Sequence, residues 1–161
     1  MITLVPMTDE DYAMFIRKTI PEYAIDQSRV GNWPASDAVA LARSEYQQML
    51  PDGTQTQNAY MRTIQDETGK KVGMLWFFID PGRPKPTAFL IDFFMFPDGR
   101  RKGYESQALS LFEEEARTLG AHRVELQVFA HKNEEIALYH ENGFSSTSIL
   151  LAKDLPAQEN V

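Results

Sequence analysis

The sequence predicts a mixed α/β domain built on a central sheet, and three observations carry that expectation. Strand-like and helix-like segments follow one another as strand, two helices, three strands, helix, strand, helix, strand. One strand, Thr87 to Phe96, is apolar almost throughout, as a strand covered on both faces is. No repeat, low-complexity tract or long linker interrupts the 161 residues, and the strongest punctuation, Pro81-Gly82-Arg83-Pro84-Lys85-Pro86, is short enough to be a loop between strands. A single domain spanning residues 1–161 is expected.

Ile2 to Val5 reads as the opening strand. Thr8-Asp9-Glu10-Asp11 supplies an N-cap and first-turn acids for a helix expected to end near Ile20, because Pro21 follows. Glu22 to Trp33 reads as irregular and polar. Pro34-Ala35-Ser36-Asp37 caps a second helix with Val39, Ala42, Tyr46 and Met49 or Leu50 at helical spacing, closed by Pro51-Asp52-Gly53. From Ala59 the pattern changes: Tyr60, Arg62 and Ile64 alternate, Glu67 to Lys70 turn, and Val72 to Ile79 return as a β-branched and aromatic run, which makes a hairpin.

Thr87 to Phe96 should lie mid-sheet, with Asp92 as its one acid. After Pro97-Asp98-Gly99, a helix from Gly103 to Leu119 carries Leu109, Phe112, Ala116 and Leu119 on one face, with Gly120 as C-cap. A strand from Arg123 to Phe129, a short helix from Glu134 to His140 ended by Asn142-Gly143, and a last strand from Ile149 to Leu155 complete the chain.

Composition narrows the chemistry. Without cysteine there is no disulfide framework, cysteine-ligated zinc, iron–sulfur cluster or thiol nucleophile, and the setting expected is a reducing cytoplasm. His122, His131 and His140 lack metal-ligand spacing, so no metal is expected. No apolar run reaches the ~20 residues of a membrane span. The net charge of −7 disfavours nucleic acid and would favour a cationic amine, although a mild acidic balance also simply keeps a protein soluble.

The most informative stretch is Asp92-Phe-Phe-Met-Phe-Pro-Asp-Gly-Arg-Arg-Lys-Gly-Tyr-Glu105, a buried strand leading through a basic, glycine-containing turn into a long helix. The first N–H groups of that helix have no intrahelical acceptor, its dipole adds about half a positive charge, and Arg100, Arg101 and Lys102 bring further cations. A pyrophosphate fits such a turn. The alternatives G-x-x-x-x-G-K-[ST] and G-x-G-x-x-G are absent, so kinase, GTPase and dinucleotide readings lose ground.

Strand, R-x-x-G-x, then helix resembles the acetyl-CoA motif [QR]-x-x-G-x-[GA] of the GNAT superfamily of N-acetyltransferases, with Arg100 and Gly103 at its first two fixed positions and Glu105 at the third. Farther on, Ala137-Leu-Tyr-His-Glu-Asn-Gly-Phe144 resembles the family's A-x-x-x-x-x-G-F ending. Leu90-Ile91-Asp92-Phe93-Phe94 is similar to the small-amine branch that includes spermidine/spermine acetyltransferases. The resemblance implies a GNAT fold, with a splayed mixed sheet of about six or seven strands flanked by about four helices.

It further implies transfer of acetyl from acetyl-CoA to a primary amine, without a metal, by a protein that can be a homodimer. The implied contacts to acetyl-CoA are the backbone around Phe94, Met95 and Phe96, the turn Arg100, Arg101, Lys102, Gly103, Tyr104 and Glu105, and either Lys132 or Asn133 in place of a family asparagine. Tyr139 matches the family's general acid. Asp92, desolvated in an apolar strand, is the candidate base, or else a carboxylate paired with a structural cation or facing solvent. Glu22, Asp26 and Trp33 border the acceptor pocket in this reading. The competing reading is a non-catalytic acyl-CoA-binding or interaction module on the same fold, which would bind CoA without turnover.

Overall fold

The structure is a computed structural model that describes residues 1–100 and 103–159. Its elements are β1 (Thr3–Pro6), α1 (Asp9–Arg29), α2 (Ala38–Met49), β2 (Ala59–Gln65), β3 (Lys71–Asp80), β4 (Thr87–Met95), α3 (Tyr104–Thr118), β5 (Arg123–Leu126) and α4 (Asn133–Glu141). The strands form one sheet in the order β1-β2-β3-β4-β5, antiparallel except for the parallel pair β4 and β5. The parallel pair needs a crossover, and α3 supplies it. Among the described residues, no helix is long and apolar enough to cross a membrane.

Each face of the sheet carries its own core. On one, Leu75, Phe77, Ala88 and Leu90 meet Ala108 and the expected Leu109, Phe112 and Ala116 of α3, while Leu119, expected on the same face, is exposed at the C-cap. On the other, Met74 and Trp76 meet Phe15, Ile20 and Ala24 of α1 and Ala42 and Tyr46 of α2. A single β-bulge decides which face the end of β4 serves. Trp76 pairs with Asp92 but Phe77 pairs with Leu90, so Ile91 is the extra residue. Ahead of the bulge Ala88 and Leu90 face α3, whereas beyond it Phe94 faces α1 and α2, as Asp92 does through its bond to Tyr46. Without the bulge, period-two alternation would drive the Asp92 carboxylate into the α3 core.

Three expectations are corrected. Helix α1 does not stop before Pro21 but runs on to Arg29, converting the expected irregular stretch to helix. Pro21 removes one N–H bond, to the carbonyl of Arg17, but burial of Phe15, Ile20 and Ala24 on either side of it holds the turn together. Along α2 and its C-cap, Ala42, Tyr46 and Leu50 are buried as expected and Ala38 joins them, whereas Val39 and Met49 are exposed. Among the described residues the sheet has five strands rather than six or seven: Ile149 to Leu155 is exposed and forms no strand, and β5 ends at Leu126 rather than Phe129 because β4 has parted from it.

Candidate active site

The site begins where the sheet opens. Strands β4 and β5 pair from Thr87 and Arg123 up to Leu90 and Leu126; β4 then continues to Met95 with no strand partner on that side. On its other side β4 stays bonded to β3, and the Phe96 N–H donates to the Val72 carbonyl at 2.8 Å. Close approach of the two strands at this end requires Gly73, where a Cβ would stand 2.5 Å from the Phe94 carbonyl oxygen and 2.8 Å from the Met95 sulfur. The parted segment therefore offers extended backbone N–H and C=O groups on one edge, held rigidly from behind.

The basic turn adjoins that edge. Gly103 is the N-cap of α3 with φ +70, a left-handed conformation that favours glycine, and among the described residues a Cβ there would meet nothing within 4 Å. The N–H groups of the α3 first turn have no acceptor within the helix. Arg100 is exposed beside it, Tyr104 and Glu105 are half-buried in the first turn, and Asn142 Nδ2 of α4 donates to Ser106 Oγ at 3.1 Å, tying the end of one motif to the start of the other. Arg101 and Lys102 lie outside the described residues.

Asp92 sits on the α1 and α2 side of the splay. Its Oδ2 accepts two bonds at 2.7 Å, from the Tyr46 hydroxyl and the Trp76 indole N–H. Among the described residues no cation pairs with it. Burial pushes the carboxyl above its ordinary value, with a smaller push from Glu22, and the two neutral donors only partly offset it. Tyr139, half-buried on α4, packs edge-on to Phe144 at 5.7 Å. Burial raises its pKa as well, and the charges of Glu135 and Asp92 raise it further, so the phenol stays protonated.

Beside Asp92 the α1 helix contributes an acidic, aromatic wall. The Tyr23 hydroxyl donates to Glu45 Oε2 at 2.6 Å and accepts from Gln27 at 2.7 Å, and its pKa is pushed up to about 12, first by burial and then by Glu45. Trp33 and Tyr46 stand edge-on to Tyr23 at 5.5 and 5.8 Å, and Phe129 lies 6.4 Å from it. The Lys18 ammonium covers the Phe94 ring at 4.7 Å and is held at 2.5 Å by Glu22. Burial also raises the pKa of Glu135, as do Asp26 and Glu22, against Lys132 and His131.

Of the residues expected from sequence, the splay brings Asp92, Phe94, Met95 and Phe96 together, and Gly103 to Glu105 form the neighbouring helix start. Lys132 goes elsewhere: its ammonium is 3.3 Å from Asp26, which also bonds His131 at 2.8 Å. Asp26 is thereby occupied by two partners of the β5–α4 connection rather than open to a ligand. Asn133 is exposed at the first position of α4. Sequence reasoning missed Tyr46 as a partner of Asp92, because it read as one more residue of a helical stripe. It also missed Trp76, whose position opposite Asp92 depends on the bulge, and the Tyr23–Glu45 pair, because the first of these lies in a segment read as irregular. No group of residues suited to a metal ion occurs among the described residues.

Residues 23–144 match the model of the acetyltransferase (GNAT) family. Two uncharacterised N-acetyltransferases of Bacillus subtilis are similar along nearly their full length. YdgE is 33% identical over 153 residues, covering 95% of this chain and 98% of YdgE; YycN is 32% identical over 154 residues, covering 96% and 99%. The crystal structure of YycN superposes with a TM-score of 0.92, at 31% identity and with 98% of this chain and 100% of YycN covered. A more distant likeness of fold, at TM-score 0.61 and 12% identity over 98% of this chain and 99% of the other, is to AAC(6')-Iy in complex with the bisubstrate analogue CoA-S-monomethyl-acetylneamine.

Proposed function

We propose, from the premise that this chain belongs to the acetyltransferase (GNAT) family, that it takes acetyl-CoA as donor and moves the acetyl group directly to a primary amine. The observation that carries the reading is the parted end of β4: an unpaired backbone edge with the α3 N-terminus at its end, Asp92 on one side and Tyr139 on the helix across the gap. The edge would hold the pantetheine amides and thioester carbonyl by backbone bonds, as an added strand is held. The N-terminus of α3, with Arg100 beside it, suits the pyrophosphate. The bound CoA analogue of the fold neighbour AAC(6')-Iy supports the same ligand class.

The chemistry needs an unprotonated amine, a polarised carbonyl and a proton for the departing thiolate. Asp92 accepts the amine proton, directly or through a water, since its pKa is raised while its Oδ1 accepts no bond among the described residues. Tyr139 donates a proton to the sulfur; its raised pKa keeps that proton in place until thiolate develops. With no cysteine in the chain there is no thiol to form an acyl-enzyme, which favours direct attack. Glu22, Glu45 and Glu135, with Tyr23 and Trp33, make the acceptor side attractive to a cationic amine, in keeping with the net charge of −7.

Calorimetric titration tests the donor half of this reading. Acetyl-CoA is expected to bind with a Kd on the order of micromolar, and Arg100→Ala to weaken it by about tenfold or more. A wild-type protein that takes up neither acetyl-CoA nor CoA would remove the reading.

A further inference from the structure

We propose that Asp26 is a positioning residue for the transfer reaction: from α1 it grips His131 and Lys132, the two residues ahead of α4, and so fixes where α4 carries Tyr139. That role rests on the reading of Tyr139 as the acid for the departing thiolate. One carboxylate engages both residues, with Oδ1 2.8 Å from His131 Nε2 and Oδ2 3.3 Å from Lys132 Nζ. The Asp26 side chain is 14% exposed and those of His131 and Lys132 are 17% and 34% exposed, so solvent and salt screen this contact less than a surface pair.

Little else places α4. A helix of nine residues is too short to be stable alone, none of its residues is buried, and Leu138 and Tyr139 only partly enter the α3-side core. Its C-terminal end is tied to α3 through Asn142 and Ser106. At its start no side chain makes a capping bond among the described residues; Lys132 occupies the N-cap position and turns its ammonium to Asp26. The gripped residues and the helix move as one piece. The Lys132 N–H donates to the Phe129 carbonyl at 3.0 Å, the His131 ring stacks on Phe129 at 5.7 Å, and the Ile136 N–H donates to the Lys132 carbonyl at 3.0 Å. Tyr139 follows about two turns farther along. Glu135, one turn before it, feels the charges of Asp26, Glu22, Lys132 and His131, which sets the grip against the first turn of α4.

Two departures from expectation meet here. The place where the resemblance calls for an asparagine facing acetyl-CoA may be filled by Lys132, and that side chain is engaged with Asp26. Asp26 is within reach because α1 continues past Pro21 to Arg29. The extension of α1 thus connects the acceptor wall to the helix that bears the acid.

The test is Asp26→Ala, made in the parent and in Tyr139→Phe, with acetyl transfer followed on the primary amine of a polyamine-led panel that the parent acetylates fastest, and with amide exchange of residues 133–141. Alanine keeps the helix propensity of α1, so the fold should survive. In the parent background kcat should fall about 10–100-fold with acetyl-CoA affinity changed less than about threefold, and α4 amides should exchange faster. In Tyr139→Phe the same substitution should cost no further kcat, because a residue acting through Tyr139 has nothing left to misplace. Losses that multiply in the double variant overturn the proposal, as do α4 amides that keep the parental exchange rate, or a loss confined to acetyl-CoA affinity. Full-speed transfer by Tyr139→Phe alone, or a parent that acetylates no amine, removes the reaction reading and the proposal with it; both are read with Asp26 intact, so the two failures are distinct.

Discussion

Among the described residues Asp92 has no counter-cation and is held instead by two neutral donors on one oxygen, the Tyr46 hydroxyl and the Trp76 N–H. That arrangement fixes the carboxylate's direction while burial keeps its pKa high, the combination a proton acceptor needs. The rate should therefore rise with pH through a carboxylate pKa above the ordinary range. Asp92→Asn should lower kcat by roughly 10²–10⁴-fold and erase that rising limb, as a pH profile of kcat/KM would record. The stability effect has the opposite sign. A carboxyl whose folded pKa is raised loses stability as pH climbs from the unfolded value to the folded one, so Asp92→Asn should be no less stable than the parent at neutral pH. At this scale the sequence was informative about placement, putting Asp92 on a mainly apolar strand, Gly103 at the start of a long helix and Tyr139 on a short one. It was mute on what holds Asp92, because Tyr46 and Trp76 reach it only through tertiary packing and a bulge that no local pattern announces. Lys132 illustrates the same point: the position was legible, but its commitment to Asp26 depends on a helix that the sequence appeared to end at Pro21.

The element that makes the site is β4, and its two irregularities divide the work. The bulge at Ile91 turns Asp92 to the α1 side, and the loss of β5 after Leu90 frees the backbone edge. Gly73 keeps β3 close behind that freed segment. Gly73→Val would drive a side chain into the Phe94 carbonyl and the Met95 sulfur, costing about 1–3 kcal/mol of stability, and it should weaken acetyl-CoA binding together with Tm. Unchanged affinity in a folded Gly73→Val protein would show that the edge of β4 is not the binding surface. Helices and strands with strong period were read correctly, as α3 shows through Leu109, Phe112 and Ala116. The misreadings fall where a local rule was outweighed: buried Phe15, Ile20 and Ala24 carry α1 past Pro21, and the β-prone Ile149 to Leu155 forms no strand.

Across the whole molecule, α1 and the sheet must stay in register for Asp92, Tyr23 and the β5–α4 connection to face one another, and Asp11 is one of the fastenings. It is buried near the start of α1, with its Oδ1 2.5 Å from Lys71 of β3 and its Oδ2 accepting from Thr63 of β2 at 2.9 Å. Burial pushes its pKa up, but the bonds from Lys71 and Thr63 outweigh this and leave it below the ordinary value. A lowered carboxylate contributes stability above its unfolded pKa and loses it as pH falls through the folded one. Asp11→Asn should thus lower Tm by roughly 4–8 °C at neutral pH, a gap that narrows below about pH 4 in thermal melts across pH. The account rests most heavily on transfer from acetyl-CoA to an amine at this site. Its most direct test is to incubate the protein with acetyl-CoA and a panel of primary amines, polyamines first, following free CoA thiol and acetylated product by mass, for the parent and for Tyr139→Phe. The account predicts one acetylated amine per CoA released, with kcat in Tyr139→Phe reduced by about tenfold or more and acetyl-CoA affinity little changed. Tight acetyl-CoA binding with no acetylated amine, or full-speed transfer by Tyr139→Phe, would contradict it.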